Sequence, residues 1–532
     1  MRSSWACLNR PRGNSGIPIT PRPERSCAAN GASVFPIEFL RRAALAYQDA
    51  VAVIDGARTC TFRTLVARAD AFGRALQKVT GKERPVVALL GPNNIEMLVA
   101  VMAIHATGGV VVPLNGRNAT VELDGQIAFA RPDIVIVHQG YLDKLSAPGV
   151  PVVIADSPPD NPRSLAAHER QGEGERPIWT ASLHDVNGIK FTGGSSGRPK
   201  GVRQSFRCIN NLVASVLLAF DFQPHDRFLC AAPMTHGAGA FLLPILSRGG
   251  CIVLSTDANP TTLLDLIERE RITVTWVPPT LLYKLIDEQK ASPRDITSLT
   301  HLIWGGAAAA VARLEEAREV FGPVMEVIYG QTEAPLMLAA GRSNEMQGAR
   351  IASVGRPGPL VEVAILDQAG NQAEAGHIGE ICARGDLLMD GYLDMPEETA
   401  ATIRDGWLHT GDLGAFDNQG FLYVKGRIRD VVITGGFNVY PSDVEEAIAS
   451  HPAVAEAVAF GLPDDHWGER LEAMVELRDG SDVIAQAILD HCRDLLGAVK
   501  TPKRLHIVGS LPRSPVGKVL RREARAAVMA AG

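Results

Sequence analysis

The chain has 532 residues, too many for a single hydrophobic core, so several structural units are expected. Apolar residues make up 46% and charged residues 21%, the balance of an ordinary soluble globular protein. A formal charge of −6, with both signs mixed along the chain, excludes a general nucleic-acid or anionic-membrane binder, whose affinity would rest on clustered Lys and Arg.

Residues 1–33 are rich in Arg, Pro and Ser and carry one acid, Glu24. They lack the apolar core of a secretory signal, and their prolines do not suit a transit peptide. They read as a disordered tail or the product of an upstream start codon, outside the fold. From about residue 36 to 300, strand-like apolar runs alternate with helical stretches. Examples are 86-VVALLG-91 before 94-NIEMLVAVMAIHATG-108, and 251-CIVLS-255 before 261-TTLLDLIERER-271 and 272-ITVTWVPP-279. This alternation predicts parallel sheets covered by helices. The apolar stretch 97–114 is broken by His105, Gly108-Gly109 and Pro113, and so reads as buried helix, turn and parallel strand rather than a membrane span. Residues 350–425 change to short strands between Gly and Asp turns, a small antiparallel unit; 361-VEVAILD-367 and 378-IGEICARG-385 are examples. The last hundred residues are mixed α and β, with a helix at 443-DVEEAIAS-450. Eight cysteines, at 7, 27, 60, 208, 230, 251, 382 and 492, form no C-x-x-C pair and do not cluster with histidines at ligand spacing. They read as buried or incidental thiols in a reducing compartment, not a zinc site.

The stretch 191-FTGGSSGRPKG-201 admits several chemistries. Gly193, Ser195 and Gly197 satisfy G-x-S-x-G, but a nucleophile elbow needs a helix starting at the serine, and Pro199 and Gly201 follow instead. A Walker loop needs Ser or Thr after the lysine and a helix N-terminus; Lys200 is followed by Gly201. A glycine–serine loop between two strands, closing backbone N–H groups, hydroxyls and one lysine over a polyphosphate, stays open beside a plain solvent loop.

Further along stand 329-YGQTEA-334, 407-WLHTGDLG-414, 426-GRIRDVVITGGFNVYPSDVE-445 and 512-PRSPVGKVLRRE-523. With the glycine–serine stretch, in this order and spacing, they make the chain from about 36 to 526 resemble the ANL superfamily of adenylate-forming enzymes, in its acyl-CoA synthetase branch. The resemblance implies a large domain at 34–426 of parallel α/β sheets plus a β-barrel-like unit, a hinge at 427–430 and a small mobile α+β domain at 431–532. It also implies a cytoplasmic enzyme that uses ATP and Mg²⁺ to convert a mostly apolar acid (aryl, alicyclic or medium-chain) to acyl-AMP, then passes the acyl group to CoA. The acid, ATP and CoA are the implied partners, with a homodimer left open.

Residue by residue, the resemblance casts Ser195, Ser196 and Lys200 as holding the β- and γ-phosphates, with Thr192 and Gly197 in the same nucleotide-binding set. Where the family usually has Ser this chain has Gly193, and where it has Thr this chain has Ser195 and Ser196. Tyr329 is expected to stack on adenine beside Gly330, Thr332 to bond the α-phosphate, and Glu333 to ligate Mg²⁺. Asp412 is expected at the ribose hydroxyls, joined by Arg427 at the ribose or α-phosphate. The hinge position usually held by Asp or Lys is Arg429. Lys518, after Gly517, is expected to reach the acid carboxylate and α-phosphate during adenylation. Gly435, Gly436 and Phe437 are expected to border the thiol's tunnel after rotation of the small domain. His236 in 233-PMTHGAG-239 is expected beside the acyl pocket, gating access rather than titrating. Gly237 replaces the Asp that holds an α-amine in amino-acid-activating relatives, which disfavours such substrates. Gly305 and Ala307 are counted with the nucleotide set, and 304-WGGAA-308 also as pocket wall, though its small residues could equally serve backbone packing. No carrier-protein segment follows the small domain, which favours CoA; loading of a stand-alone carrier protein, or a catalytically silent nucleotide-binding relative, are the alternatives.

Overall fold

The computed structural model describes residues 34–146, 149–192, 200–478, 480–514 and 518–531. The expected tail, residues 1–33, therefore lies outside the described residues.

Two largely parallel sheets form the body of the chain. The nine-stranded sheet runs, in spatial order, Arg356–Pro357, Ala334–Gly341, Met325–Gln331, His301–Gly305, Val274–Val277, Arg227–Cys230, Cys251–Leu254, Val51–Asp55 and Arg58–Thr61. Its middle is parallel, and hairpins make both ends antiparallel. The six-stranded sheet runs Val152–Ile154, Ile134–Val137, Val86–Leu90, Val110–Pro113, Val186–Thr192 and Lys200–Ser205. It is parallel except for its last pair. Runs such as 86-VVALL-90 carry no polar alternation because both faces are buried, Val87 and Leu89 in one core and Ala88 and Leu90 in another.

The 97–114 stretch folds as its sequence suggests. A helix over Ile95–Ala106 is capped by Asn94, whose side chain accepts from the Met97 N–H, and is buried on nearly every side. Gly108 takes φ +61° where a Cβ would collide with the Trp179 ring, and the Trp179 indole donates to Ala106 O at 2.7 Å. The chain then enters strand Val110–Pro113. Among the described residues no helix is long and apolar enough to cross a membrane. The expected strand at 272–279 is shorter, Val274–Val277, because Pro279 starts the next helix instead of merely stopping the strand.

Residues from Glu362 to Arg427 form the antiparallel unit, with strands Glu362–Leu366, Gly379–Arg384, Trp407–Phe416, Ile403–Arg404 and Leu422–Arg427. Its described pairing is an open sheet centred on the long Trp407–Phe416 strand, not a closed barrel. Beyond it, strands Val432–Thr434, Phe437–Val439, Val454–Asp464, Gly468–Leu477 and Arg504–Val508 make a separate sheet. That sheet has its own core, in which Val432, Val444, Ala473 and Ile488 are fully or almost fully buried. Arg521, on helix Arg521–Ala531, pairs with Asp430 at 2.5 Å and Glu445 at 2.7 Å, fastening the connecting residues to this sheet's helices. The six described cysteines are all buried and unpaired.

The main core runs beneath the loop that carries His236. There Phe241, fully buried, stacks on Phe228 with ring centroids 5.6 Å apart. Phe241→Ala should cost about 3–5 kcal/mol, read as a lowered midpoint in thermal unfolding; an unchanged midpoint would show that the loop does not lean on this ring.

Candidate active site

The glycine–serine loop joins two antiparallel strands, Val186–Thr192 and Lys200–Ser205, with Thr192 opposite Lys200. Past the loop the described chain resumes as a strand at Lys200, and the next described helix begins at Phe206. Ser195, Ser196 and Gly197 lie outside the described residues. Lys200 stands over the Tyr392 ring, its ammonium 4.8 Å from the centroid. The Tyr392 hydroxyl donates to Glu333 Oε1 at 2.8 Å. Tyr392 escaped the sequence reading because no periodicity marks it. Its segment is laid along the Lys200–Ser205 strand by main-chain bonds, Arg203 N to Gly391 O and Leu393 N to Gly201 O.

Thr332 and Glu333 form the two-residue tip of the hairpin between Met325–Gln331 and Ala334–Gly341. Gly330 permits the hairpin's close approach, since a Cβ there would lie 2.6 Å from Leu336 N, and Leu336 itself adopts φ +56°. The tip is held from outside: Gln204 Nε2 donates to Thr332 O at 2.8 Å, and Met389 N to Glu333 O at 2.8 Å.

Tyr329, four residues before Glu333, donates its hydroxyl to Asp412 Oδ2 at 2.7 Å. Arg427 Nε meets Asp412 Oδ1 at 2.7 Å, and the two residues are partners across neighbouring strands. Asp412 is only 6% exposed. Burial pushes its carboxyl above the usual range, against the opposing pull of Arg427 and Tyr329. Glu380 sets the turn before it, with Oε1 accepting from Gly411 N at 3.0 Å and Oε2 lying 2.7 Å from His409 Nδ1. Sequence reading missed Glu380, which acts on Asp412 only through this turn.

Lys518 is brought to the same place. Its N–H donates to Ser514 Oγ and its carbonyl accepts from Ser514 N. Although solvent reaches the residue, protein crowding lowers its pKa below the ordinary 10.5; Arg427 lowers it further and Asp412 opposes both. Lys518, Arg427, Asp412 and Tyr329 thus form one charged group. Gly517 lies outside the described residues. Arg429 is exposed, near Asp430.

His236 precedes a short 3₁₀ turn and lies 3.0 Å from Thr235 Oγ1 through Nδ1. Burial, then the charge of Lys190, pushes its pKa down to about 4, so it stays neutral at neutral pH. Gly237 faces Trp276, which a Cβ would meet at 2.6 Å. Gly305 makes room for the neighbouring strand, because a Cβ would lie 2.5 Å from Ile328 O; the backbone-packing reading holds for this residue. Gly306, at φ +89°, leaves its space toward Trp276, and Ala307 follows at the strand's end, partly buried. Gly435 and Gly436 form the turn of a hairpin in the C-terminal sheet, and Phe437, which opens its second strand opposite Thr434, is 60% exposed. No hydrogen bond or ion pair joins them to the Asp412 group among the described residues.

Residues 40–393 match the family model of AMP-binding enzymes, and residues 443–518 that of the AMP-binding enzyme C-terminal domain. The chain is 38% identical over 360 residues to the medium/long-chain-fatty-acid–CoA ligase FadD8 of Mycobacterium tuberculosis, covering 66% of this chain and 63% of that relative. It is 32% identical to a feruloyl-CoA synthase from Amycolatopsis sp, covering 91% and 97% of the two chains. The same identity links it to the 3-[(3aS,4S,7aS)-7a-methyl-1,5-dioxo-octahydro-1H-inden-4-yl]propanoyl:CoA ligase of Rhodococcus jostii, over 91% and 96%. Among solved structures, the amide bond synthetase McbA from Marinactinospora thermotolerans superposes with a TM-score of 0.84 at 29% identity, covering 93% and 99% of the chains. The o-succinylbenzoate CoA synthetase of Bacillus subtilis, bound to its acyl-adenylate, superposes at 0.81 and 28% over 92% and 97%. The chain belongs to the AMP-binding enzyme family, in the acyl-CoA synthetase branch of the ANL superfamily. It is an AMP-forming acid–thiol ligase.

Tyr392→Phe keeps the ring under Lys200 but removes the bond to Glu333. It should slow acid-dependent pyrophosphate release by about tenfold; an unaltered rate would show that this bond is idle in catalysis. Burial pushes His105 down to about 4, as it does His236. Between the ordinary histidine value of 6.5 and about 4, the unfolded chain therefore binds protons that the folded chain does not. Thermal midpoints should fall as pH falls through this window, and less steeply in the His105→Gln, His236→Gln double variant.

Proposed function

We propose that the Asp412 group and the Lys200–Tyr392–Glu333 chain form the adenylation centre, in which an acid carboxylate attacks the α-phosphorus of ATP and displaces pyrophosphate. The observation that carries this reading is Lys518 standing within the field of Asp412 and Arg427. Attack joins an anion to a polyanion, so fixed positive charge at that point favours the transition state over the separated reactants. Lys518 supplies a compact ammonium for the carboxylate and α-phosphate oxygens, and Arg427 a second cation held by Asp412. Tyr329 offers its ring to adenine while its hydroxyl is tethered. Asp412 keeps lone pairs for the ribose hydroxyls beyond those used by Tyr329 and Arg427. Lys200, with the loop containing Ser195 and Ser196, holds the terminal phosphates, and Thr332 the α-phosphate.

The residues present fit Mg²⁺. Glu333 forms no ion pair among the described residues, and only Oε1 is engaged, by Tyr392. A single carboxylate at a phosphate site is the protein share that this cation usually takes. When bound, the metal would offset phosphate charge; Glu333 would hold it.

The acyl group then passes to CoA. Residues 427–430 serve as the hinge, with Arg429 exposed enough to swing, and rotation of 431–532 withdraws Lys518 and presents Gly435, Gly436 and Phe437 to the pantetheine arm. The relatives' named acids are straight-chain, aryl and alicyclic, in keeping with a mostly apolar acid here. Free, buried cysteines suit a cytoplasmic setting.

The test is pyrophosphate release from the purified protein with Mg·ATP and aryl, alicyclic and straight-chain acids, each with and without CoA, with products weighed by mass spectrometry. Acyl-CoA is the expected product. Lys518→Ala should reduce adenylation by about 10²–10³-fold. Because Lys518 must be charged and its pKa is lowered, wild-type adenylation should decline with rising pH before the ordinary lysine value of 10.5 is reached. ATP binding without release on any acid would defeat the reading.

A further inference from the structure

Beside the hairpin tip lies a cavity whose wall is largely apolar, with Met102 and Leu212 among its side chains. Set into that wall are His105, Asn187, Lys190, Gln204 and His236. Two of these polar groups are fixed from behind. Asn187 Nδ2 donates to Gly109 O at 2.8 Å and Gln204 Nε2 to Thr332 O at 2.8 Å, which turns Asn187 Oδ1 and Gln204 Oε1 away from those partners. Both oxygens are buried without a hydrogen bond, in residues 1% and 0% exposed, and His105 Nδ1 is likewise unpartnered. Asn187 approaches the His105 ring, but short of hydrogen-bond geometry. Lys190 makes no ion pair among the described residues, and no acidic side chain lines the cavity. A cation and several bare polar atoms set in an apolar wall are costly unless something completes them.

We propose that this cavity receives the tail of the acid, and that Lys190 selects tails bearing an accepting oxygen, either a ketone or a second carboxylate. The inference rests on the ligase reading and names the substrate class within it. Gln204 ties the two places together, since one end of its amide holds Thr332 at the reacting tip and the other faces the cavity. An acid with its carboxylate at Thr332 and Lys518 therefore directs its tail past His236 toward Lys190. An ammonium has three N–H donors, enough to serve a tail oxygen together with the two waiting amide oxygens. Burial holds Lys190 below the ordinary lysine pKa, and an oxygen in contact with it would favour the charged form.

The experiment compares kcat/KM for matched acids of one skeleton: the unsubstituted parent, its distal ketone and its distal carboxylate, in wild type and in Lys190→Met. The wild type should prefer at least one oxygenated acid over the parent by about 10- to 100-fold, mostly through KM. Lys190→Met should collapse that ratio toward one. A gain largest for the dicarboxylic acid would assign Lys190 its charge; a gain confined to the ketone would assign it a neutral-donor role; either supports the proposal. A wild type that turns over the parent as well as or better than both oxygenated acids overturns the inference and leaves the ligase intact. No turnover of any acid would overturn the ligase reading and this inference with it. The wild-type comparison can overturn the inference even where the variant does not fold, and an oxygenated preference that survives in Lys190→Met overturns it as well.

Discussion

One buried carboxylate, Asp412, is where separately built parts of the molecule meet. Its two oxygens accept from a tyrosine on the large parallel sheet and from an arginine at the far end of the antiparallel unit. A lysine from the last stretch of the chain feels its charge. A carboxylate taken out of water needs partners of this kind, so the same requirement that makes Asp412 stable brings Tyr329, Arg427 and Lys518 together. The turn that presents it is in turn fixed by Glu380 and His409. The site is thus a junction, and none of its contributing elements holds it alone.

The junction also explains the orientation of the C-terminal sheet. Lys518 stands within the field of Asp412 and Arg427, while the hairpin carrying Phe437 is exposed. Arg521, clamped between Asp430 and Glu445, makes the connecting residues part of the small unit's framework. A rotation would have to take place N-terminal to that clamp, and Arg427, Ile428 and Arg429 are the residues so placed.

Much of this was legible in the chain. Long apolar runs without polar alternation announced parallel strands covered on both sides, and five motifs in order located the charged residues. Tyr392 and Glu380 were not legible, because each acts through a partner distant in sequence: Glu333 lies 59 residues from Tyr392, and Gly411 31 residues from Glu380. The expectation of pocket space at 304-WGGAA-308 separated into two physical cases. Gly305 is small so that a neighbouring carbonyl can approach, whereas Gly306 is small because its backbone is left-handed beside Trp276. Sequence shows that a side chain is missing, and only packing shows which neighbour uses the space. Lys190 was passed over for the opposite reason, since a single lysine in a strand reads as a solvent-facing residue until the walls around it are known.

The cysteines bear on the chemistry in a way their burial alone does not suggest. An acyl-adenylate is an electrophile that reacts with whichever thiolate it meets, and thiolate, not thiol, is the attacking form. Burial pushes Cys208 and Cys230 up to about 12, and Cys251 and Cys492 to about 11. Cys382, two residues from Glu380, is pushed up to about 12 as well. Around neutral pH these groups remain protonated and enclosed. Among the described residues, then, no cysteine thiolate is offered to the activated acid, which favours its survival until the acceptor thiol arrives.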